Sequence, residues 1–453
     1  MSHPKFVVVG HPNKGKSSIV SALTLDDTIE ISNLPGTTKE ARSFYLKSDD
    51  KILYELVDTP GFQRPKKVLE YLKSFGEVSA IDRPKLVQKF VQENINNPKF
   101  KDEIELLKPI LDGGAILYVV DASKPYSSDY ETQMEILRYT GAPSIAILNY
   151  IDNSDYTKEW NIALGQYFRI VKPFNPMQYS IKEHKSLLEA LSHINPLWED
   201  DIKESIKYLE IFYNQILEKI AFVIADSIYK MLSLKIESTY SASPFLQDEL
   251  KKRFKSKIDS IEKQMQQKII DILRFKNIEF DIKSSPLNFD IFSTKTKEVF
   301  GLPKDKLIKI SAISGALVGG SVDLALAGHT FFLGALIGGV AGAAGAMYSF
   351  DEIANITFIG TSKMQIGPIK DTNFGFIMLN RALTFAKTLL HKSHADRTKE
   401  IVNLENLNQN ISDSQLQKFA KLHKKFQANN QEAIEDYAKL VKESLVKFSD
   451  SDS

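Results

Sequence analysis

An apolar run, Phe6 to Val9, ends in Gly-His-Pro-Asn-Lys-Gly-Lys-Ser at Gly10 to Ser17. No other stretch of the chain limits its fold so tightly. A strand must deliver the chain to a tight glycine-rich turn and a helix must leave it. Backbone N–H groups and the helix N-terminus then face one anion. The pattern predicts a phosphate cradle built from Gly10, His11, Pro12, Asn13, Lys14, Gly15, Lys16, Ser17 and Ser18. In such a loop Lys16 reaches the β- and γ-phosphates, and Ser17 ligates Mg²⁺.

The rest of the composition sets bounds. At 453 residues the chain is long enough for two or three domains. A formal net charge of +1 supplies no global field to recruit nucleic acid or a membrane. The local basic run at Lys251-Lys252-Arg253 reads as a solvated helix face. Absence of cysteine excludes disulfides and thiolate metal sites, and fits a reducing compartment. The N-terminus leads straight into the phosphate loop without the pattern of a signal peptide, so a cytoplasmic location is expected.

Downstream segments extend the nucleotide reading. Leu34-Pro35-Gly36-Thr37-Thr38 breaks the preceding helix. Alternating segments at 41–46 and 51–57 flank Ser48-Asp49-Asp50 as an antiparallel hairpin. The second strand ends in Asp58-Thr59-Pro60-Gly61, where a carboxylate can hold Mg²⁺ through water and Gly61 can offer its N–H to the γ-phosphate. Continuous apolar runs at 115–120 and 144–148 read as buried parallel strands. The second delivers Asn149-Tyr150-Ile151-Asp152, whose amide and carboxylate suit the guanine edge and not adenine.

Taken in order, Gly-x-Pro-Asn-x-Gly-Lys-Ser, Gly-Thr-Thr, Asp-Thr-Pro-Gly and Asn-x-x-Asp resemble the Era/TrmE branch of GTPases over about residues 5–195. The resemblance implies an α/β P-loop GTPase domain with a mostly parallel sheet and helices on both faces. It implies a slow enzyme converting GTP to GDP and phosphate, stimulated by K⁺ or by a partner. Lys16, Thr38, Gly61 and Asn13 are then the catalytic set, and Ser17, Thr38 and Asp58 the Mg²⁺ set. Thr37 is the lesser choice for the switch I threonine. Asn13 has two readings, a turn residue or a K⁺ ligand helped by carbonyls of 30–34. Three departures stand out: Tyr150 replaces the guanine motif's lysine, Asn175-Pro176 replaces a Ser-Ala pair, and switch II carries an insertion at about 62–112. Phe62 occupies the position where many GTPases carry a water-orienting glutamine, leaving Gln63 one residue out of place.

The whole chain is also similar to a bacterial group in which this domain is fused to a domain of unknown function. That domain has a glycine-rich hairpin and a later helix ending in a Ser-His-Ala step, here Ser393-His394-Ala395. The expected division is 1–197 for the GTPase, 198–306 for long helices, 307–350 for a glycine-rich apolar hairpin and 351–453 for a mainly α-helical C-terminal region with a disordered tail. Ile202, Ile206, Leu209, Tyr213, Ile216, Ile220 and Val223 form one stripe. Leu246, Leu250, Phe254, Ile258, Ile261 and Met265 form a second, beyond a helix start at Ser243-Pro244. Two helices packed within one bundle, or an intermolecular coiled coil, satisfy both.

The hairpin at 310–350 repeats small residues every fourth position, at Ala312, Ala316 and Gly320, then Gly334, Gly338, Gly342 and Ala346. Such spacing lets helix backbones approach closely. Its arms reach only ~25 Å against a ~30 Å hydrocarbon core. Three readings compete: a hairpin inserted at the inner membrane, a buried soluble core, or one that moves between these with nucleotide state; self-association through 310–350, as a dimer, is a separate expectation. His391, His394 and Asp396 read as a solvated helix end more readily than as a metal site. The leading functional reading is a GTP switch controlling the hairpin. The alternatives are a ribosome- or RNA-assembly GTPase and a scaffold with incidental hydrolysis.

Overall fold

In the computed structural model the residues described are 3–24, 40–48, 51–152, 154–176, 181–239, 244–275, 290–292, 294–303, 306–307, 354, 356–359, 363–392 and 411–450. Expectations for Thr37 and Thr38, the carbonyls of 30–34, the 310–350 hairpin and the Ser393-His394-Ala395 step concern residues outside these ranges. The chain divides into two compact units: the first is Met1–Asn214 with Phe275 and residues 390–392, and the second is the rest of the described residues from Gln215 on.

The first unit is built on a six-stranded sheet of order β2-β3-β1-β4-β5-β6. Its strands are β1 (Lys5–Gly10), β2 (Arg42–Ser48), β3 (Lys51–Asp58), β4 (Ala115–Asp121), β5 (Ser144–Asn149) and β6 (Val171–Pro173). Only the β2–β3 hairpin is antiparallel; β1–β3, β1–β4, β4–β5 and β5–β6 are parallel. Strands buried on both faces need apolar residues at consecutive positions, which is why Phe6 to Val9 and Ala115 to Val120 run without a break.

Alternate side chains feed opposite layers. Val7, Val9, Ile116, Tyr118 and Val120 join a core with α2 (Pro65–Lys73), α3 (Arg83–Asn94), α4 (Lys101–Leu111), α5 (Asp129–Thr140) and α6 (Thr157–Leu164). Phe6, Val8, Ala115, Leu117 and Val119 join the other core, with α1 (Lys16–Thr24), α7 (Ile181–Ser192) and the start of α8 (Glu199–Leu232). The 62–112 stretch is thus integral to one layer: Val68, Leu72, Val87 and Phe90 are fully buried in it. Because β1 is flanked by β3 and β4, successive connections leave it on opposite sides. That opens a crevice at its C-terminal end, where the phosphate loop lies.

The second unit is mainly helical. It holds the rest of α8, α9 (Pro244–Ile272), α10 (Thr294–Phe300), α11 (Thr372–His391), α12 (Asp413–Gln427) and α13 (Ala433–Asp450). A small antiparallel sheet, β7 (Ile236–Thr239), β9 (Lys363–Ile366) and β8 (Ile356–Ile359), interrupts the regions expected to hold long helices at 198–306 and mainly helices at 351–453. None of the described helices is long and apolar enough to cross a membrane.

The long helices depart from their expected stripes in instructive ways. On α8, Ile202 and Leu209 are buried, but the inward face then moves to Leu217, Ile220, Ile224, Ile228 and Met231, leaving Tyr213, Ile216 and Val223 part-exposed. A straight helix drifts by ~20° per heptad against a strict 3.5-residue repeat, so a fixed four-and-three stripe loses the buried face. On α9 the buried series is Leu250, Phe254, Ile258, Glu262, Met265 and Ile269. Glu262, not Ile261, takes the core position because Arg381 of α11 meets it: Nε donates to Oε1 at 2.7 Å and Nη2 to Oε2 at 3.1 Å.

A buried histidine links α12 to α13. His423 Nε2 and the Tyr437 hydroxyl share a 2.8 Å hydrogen bond, and Phe376 meets the ring edge-on. Gly375 lies against the imidazole; a Cβ there would come within 2.5 Å of Nδ1. Burial drives the His423 pKa down to about 3. The unfolded chain takes up this proton near pH ~6.5 while the native state refuses it, so stability is lost as pH falls through that window. Between pH 7 and 5 the expected loss from this group is about 2 kcal/mol. Urea unfolding should show a shallower acid loss in His423→Gln than in wild type.

Candidate nucleotide-binding site

The loop after β1 is shaped by three residues with left-handed or open backbone: Gly10 at φ 148°, Asn13 at φ 60° and Gly15 at φ 86°. Gly10 passes so close to β4 that a Cβ would sit 2.4 Å from the Val119 carbonyl oxygen, and one on Gly15 would sit 2.2 Å from Asn149 Nδ2. Asparagine tolerates the left-handed region better than most residues, which accounts locally for Asn13. His11 and Asn13 are exposed, Pro12, Lys14, Gly15 and Ser17 half-buried, and Ser18 is buried inside α1.

Lys16 folds back over the loop, its Nζ donating to the His11 carbonyl at 3.1 Å. Burial lowers its pKa to about 8, opposed by the charge of Asp58. A poorly hydrated cation is thereby held against the backbone of the loop. Ser17 Oγ donates to Asp58 Oδ2 at 2.7 Å, bringing two hard oxygen donors together at the end of β3. Thr59 Oγ1 donates to the Val8 carbonyl, tying the next residue to β1. Gly61 then packs on the loop itself: a Cβ there would lie 2.6 Å from Pro12 N. Phe62 is 2% exposed and belongs to the core, so it has no means of orienting water. Gln63 is held through its backbone N–H, which donates to Glu103 Oε1 at 2.9 Å.

The pair expected to read the base lies at the end of β5 and just beyond it. Asn149 is buried and its Nδ2 donates to the Lys14 carbonyl at 2.9 Å. It therefore braces the phosphate loop, a role the sequence reading did not assign. Asp152 is exposed and pairs with Lys124; that hydrogen bond lowers its pKa. Lys14 pairs with Asp121 at 3.3 Å. Tyr150 turns its hydroxyl to Thr157 Oγ1 at 2.8 Å and packs on the core. Asn175-Pro176 lie just beyond β6, after Phe174. Lys16, Ser17, Asp58, Gly61, Asn149 and Asp152 thus lie at the C-terminal edge of one sheet, at the start of α1, at the ends of β3 and β5 and on the loops that follow those two strands. His391 ends α11.

Fold and site define a P-loop GTPase domain. A family model described as "50S ribosome-binding GTPase" matches residues 5–150. A second, "Domain of unknown function (DUF3482)", matches residues 162–446. The chain belongs to this DUF3482 family, with the GTPase domain at its N-terminal side.

Among similar proteins, the tRNA modification GTPase MnmE of Mycoplasmoides gallisepticum is 26% identical over 182 residues, covering 36% of this chain and 39% of that protein. GTPase Era of Fusobacterium nucleatum subsp. nucleatum is 28% identical over 204 residues, covering 43% and 56%. GTPase Der of Ligilactobacillus salivarius is 35% identical over 86 residues, covering 18% and 20%. In each case the chain spans less than two thirds of the relative. A crystal structure of a point variant of Aquifex aeolicus Era bound to GDP.AlF4- matches with 15% identity over 60% of this chain and 90% of that one, at a TM-score of 0.28. That score is too low to bear on function.

Proposed function

We propose that the chain binds and slowly hydrolyses GTP, and that the nucleotide cycle acts on its C-terminal region. The observation that carries this reading is the meeting of Lys16, Ser17, Asp58, Gly61, Asn149 and Asp152 at one sheet edge. Lys16 neutralises charge on the β- and γ-phosphates, and the Gly61 N–H senses the γ-phosphate. Ser17 and Asp58 fit Mg²⁺, which takes oxygen donors and would supply neutralising charge to the phosphates; Thr38 is their proposed third partner. Asn149 keeps the loop shaped for phosphate, and Asp152 accepts from the guanine N1 and N2. With Phe62 in the core, hydrolysis needs positive charge from elsewhere. K⁺ at Asn13, or a partner, supplies it in this reading.

Displacement of a fluorescent GDP analogue tests the base preference. GTP and GDP should compete while ATP does not, and Asp152→Ala should weaken GDP at least tenfold (about 1.4 kcal/mol). Equal competition by ATP would remove the guanine reading.

A switched hairpin at 310–350 is the downstream target in this reading, supported by its spacing of small residues. Flotation of the intact chain on liposomes, with GTP against GDP, tells this from a soluble role. The second reading, assembly of an RNA-containing particle, draws on the matched model's description and on the tRNA-modification and Era relatives. Salt-sensitive cosedimentation with ribosomal subunits would favour it.

A further inference from the structure

We propose that α4 is a positioning element for hydrolysis and that Glu103 is its anchor. The inference rests on the GTPase reading above. Helix α4 lies at the end of the switch II insertion and touches segments flanking both switches. Glu103, fully buried, accepts from the backbone N–H groups of Gln63 and Arg64 with one oxygen, Oε1, at 2.9 and 2.5 Å. Two residues to either side along the helix, the partner changes. Lys101 Nζ pairs with Glu40 at 3.1 Å, and Glu105 Oε2 accepts from the Ala41 N–H at 2.9 Å.

Positions i and i+4 share a helix face, while i+2 lies about 200° away. Lys101 and Glu105 therefore hold one segment and Glu103 holds the other from the opposite side. The first segment closely follows Gly36-Thr37-Thr38, and the second directly follows Asp58-Thr59-Pro60-Gly61. The helix thus holds Glu40 and Ala41 on one face and the Gln63 and Arg64 backbone on the other.

Burying a carboxylate is costly unless its hydrogen bonds repay it. Oε2 of Glu103 has no hydrogen-bond partner among the described residues, so its charge-assisted bonds go to the switch II backbone alone. An apolar residue would fill this place in the core better. The backbone bonds are what the glutamate provides. Switch II is thus gripped twice: Gly61 against Pro12 on one side of Phe62, and Gln63-Arg64 against Glu103 on the other. Glu103 fixes where the Gly61 N–H points, and Glu105 ties that geometry to the end of switch I.

The test uses the full chain, with wild-type turnover and GDP affinity measured first. Glu103→Ala should lower kcat by about tenfold or more, as expected when a catalytic group loses its positioning, with GDP affinity unchanged. Glu103→Gln, whose carbonyl can still accept both N–H groups, should recover most of that loss. Glu105→Ala, part-exposed on the same helix, should lower kcat in the same direction with KM held. A purely structural role would instead move GDP affinity and melting temperature with kcat. Wild-type kcat in a Glu103→Ala protein that binds GDP normally overturns the proposal. Should Glu103→Ala not fold, wild-type kcat in Glu105→Ala overturns it. Absence of turnover by the wild type removes the GTPase reading itself, a result distinct from equal turnover in wild type and variants.

Discussion

Lys16→Ala is expected to lower GTP turnover by a factor on the order of 10²–10³, the range seen when one aimed charge-stabilising donor is removed from an active site. The lysine's surroundings explain the size of the effect. It is 7% exposed, its amine rests on the His11 carbonyl, and its pKa sits at about 8. Little solvation is lost when phosphate arrives, so its attraction goes to the ligand and not to displacing water. The fold should survive the change, because the loop's shape rests on Gly10, Gly15 and the Asn149 brace. The same pKa gives a pH dependence. Above about pH 8 the unliganded amine loses its proton, so binding a triphosphate must take one up. GTP affinity should weaken as pH rises past that point, and Lys16→Ala should flatten the profile. Isothermal titration in two buffers of different ionisation heat would read the proton uptake directly.

Glu262→Ala is expected to cost ~3–5 kcal/mol of stability, the penalty for removing one partner of a buried ion pair. The pair is nearly dry: the side chains of Arg381 and Glu262 are 2% and 4% exposed. Both guanidinium bonds to the carboxylate would vanish together, leaving the buried guanidinium, which also lies 5.3 Å from the ring of Phe300, without this counter-charge. Urea unfolding should show the midpoint of the second unit's transition fall sharply. Replacing both residues with methionine should recover most of the loss, since the cost lies in an uncompensated charge and not in the missing attraction. A Glu262→Ala protein as stable as wild type would mean that Arg381 finds another anion.

The site was legible because its parts are contiguous words in the sequence. A glycine-rich turn, a carboxylate at a strand end and an Asn-x-x-Asp each carry their geometry locally, and strand order brings them to one edge. Asn149 shows where such reading stops. Its spacing to Asp152 marks the motif, yet its bond to Lys14 depends on β4 separating β1 from β5 and on β5 running past the level of Gly10, which shares its register with Val119 and Ile147. Glu103 could not be singled out, since a glutamate in the first turn of a helix is ordinary and its partners lie some forty positions earlier. The same holds for Glu262: a charged residue at a heptad position looks like a break in the stripe until Arg381 arrives from a distant helix. Local patterns reveal chemistry that one segment holds, and long-range pairing hides the remainder. The short strands β8 and β9 were missed because four-residue strands carry too little alternation to stand out from turns.

The most direct test of the central claim is steady-state phosphate release by the intact chain from GTP and from ATP, with Mg²⁺, in KCl and in NaCl. The account predicts turnover of GTP alone, faster in KCl. Equal turnover of the two nucleotides would contradict it, because Asp152 would then have no part in choosing the base.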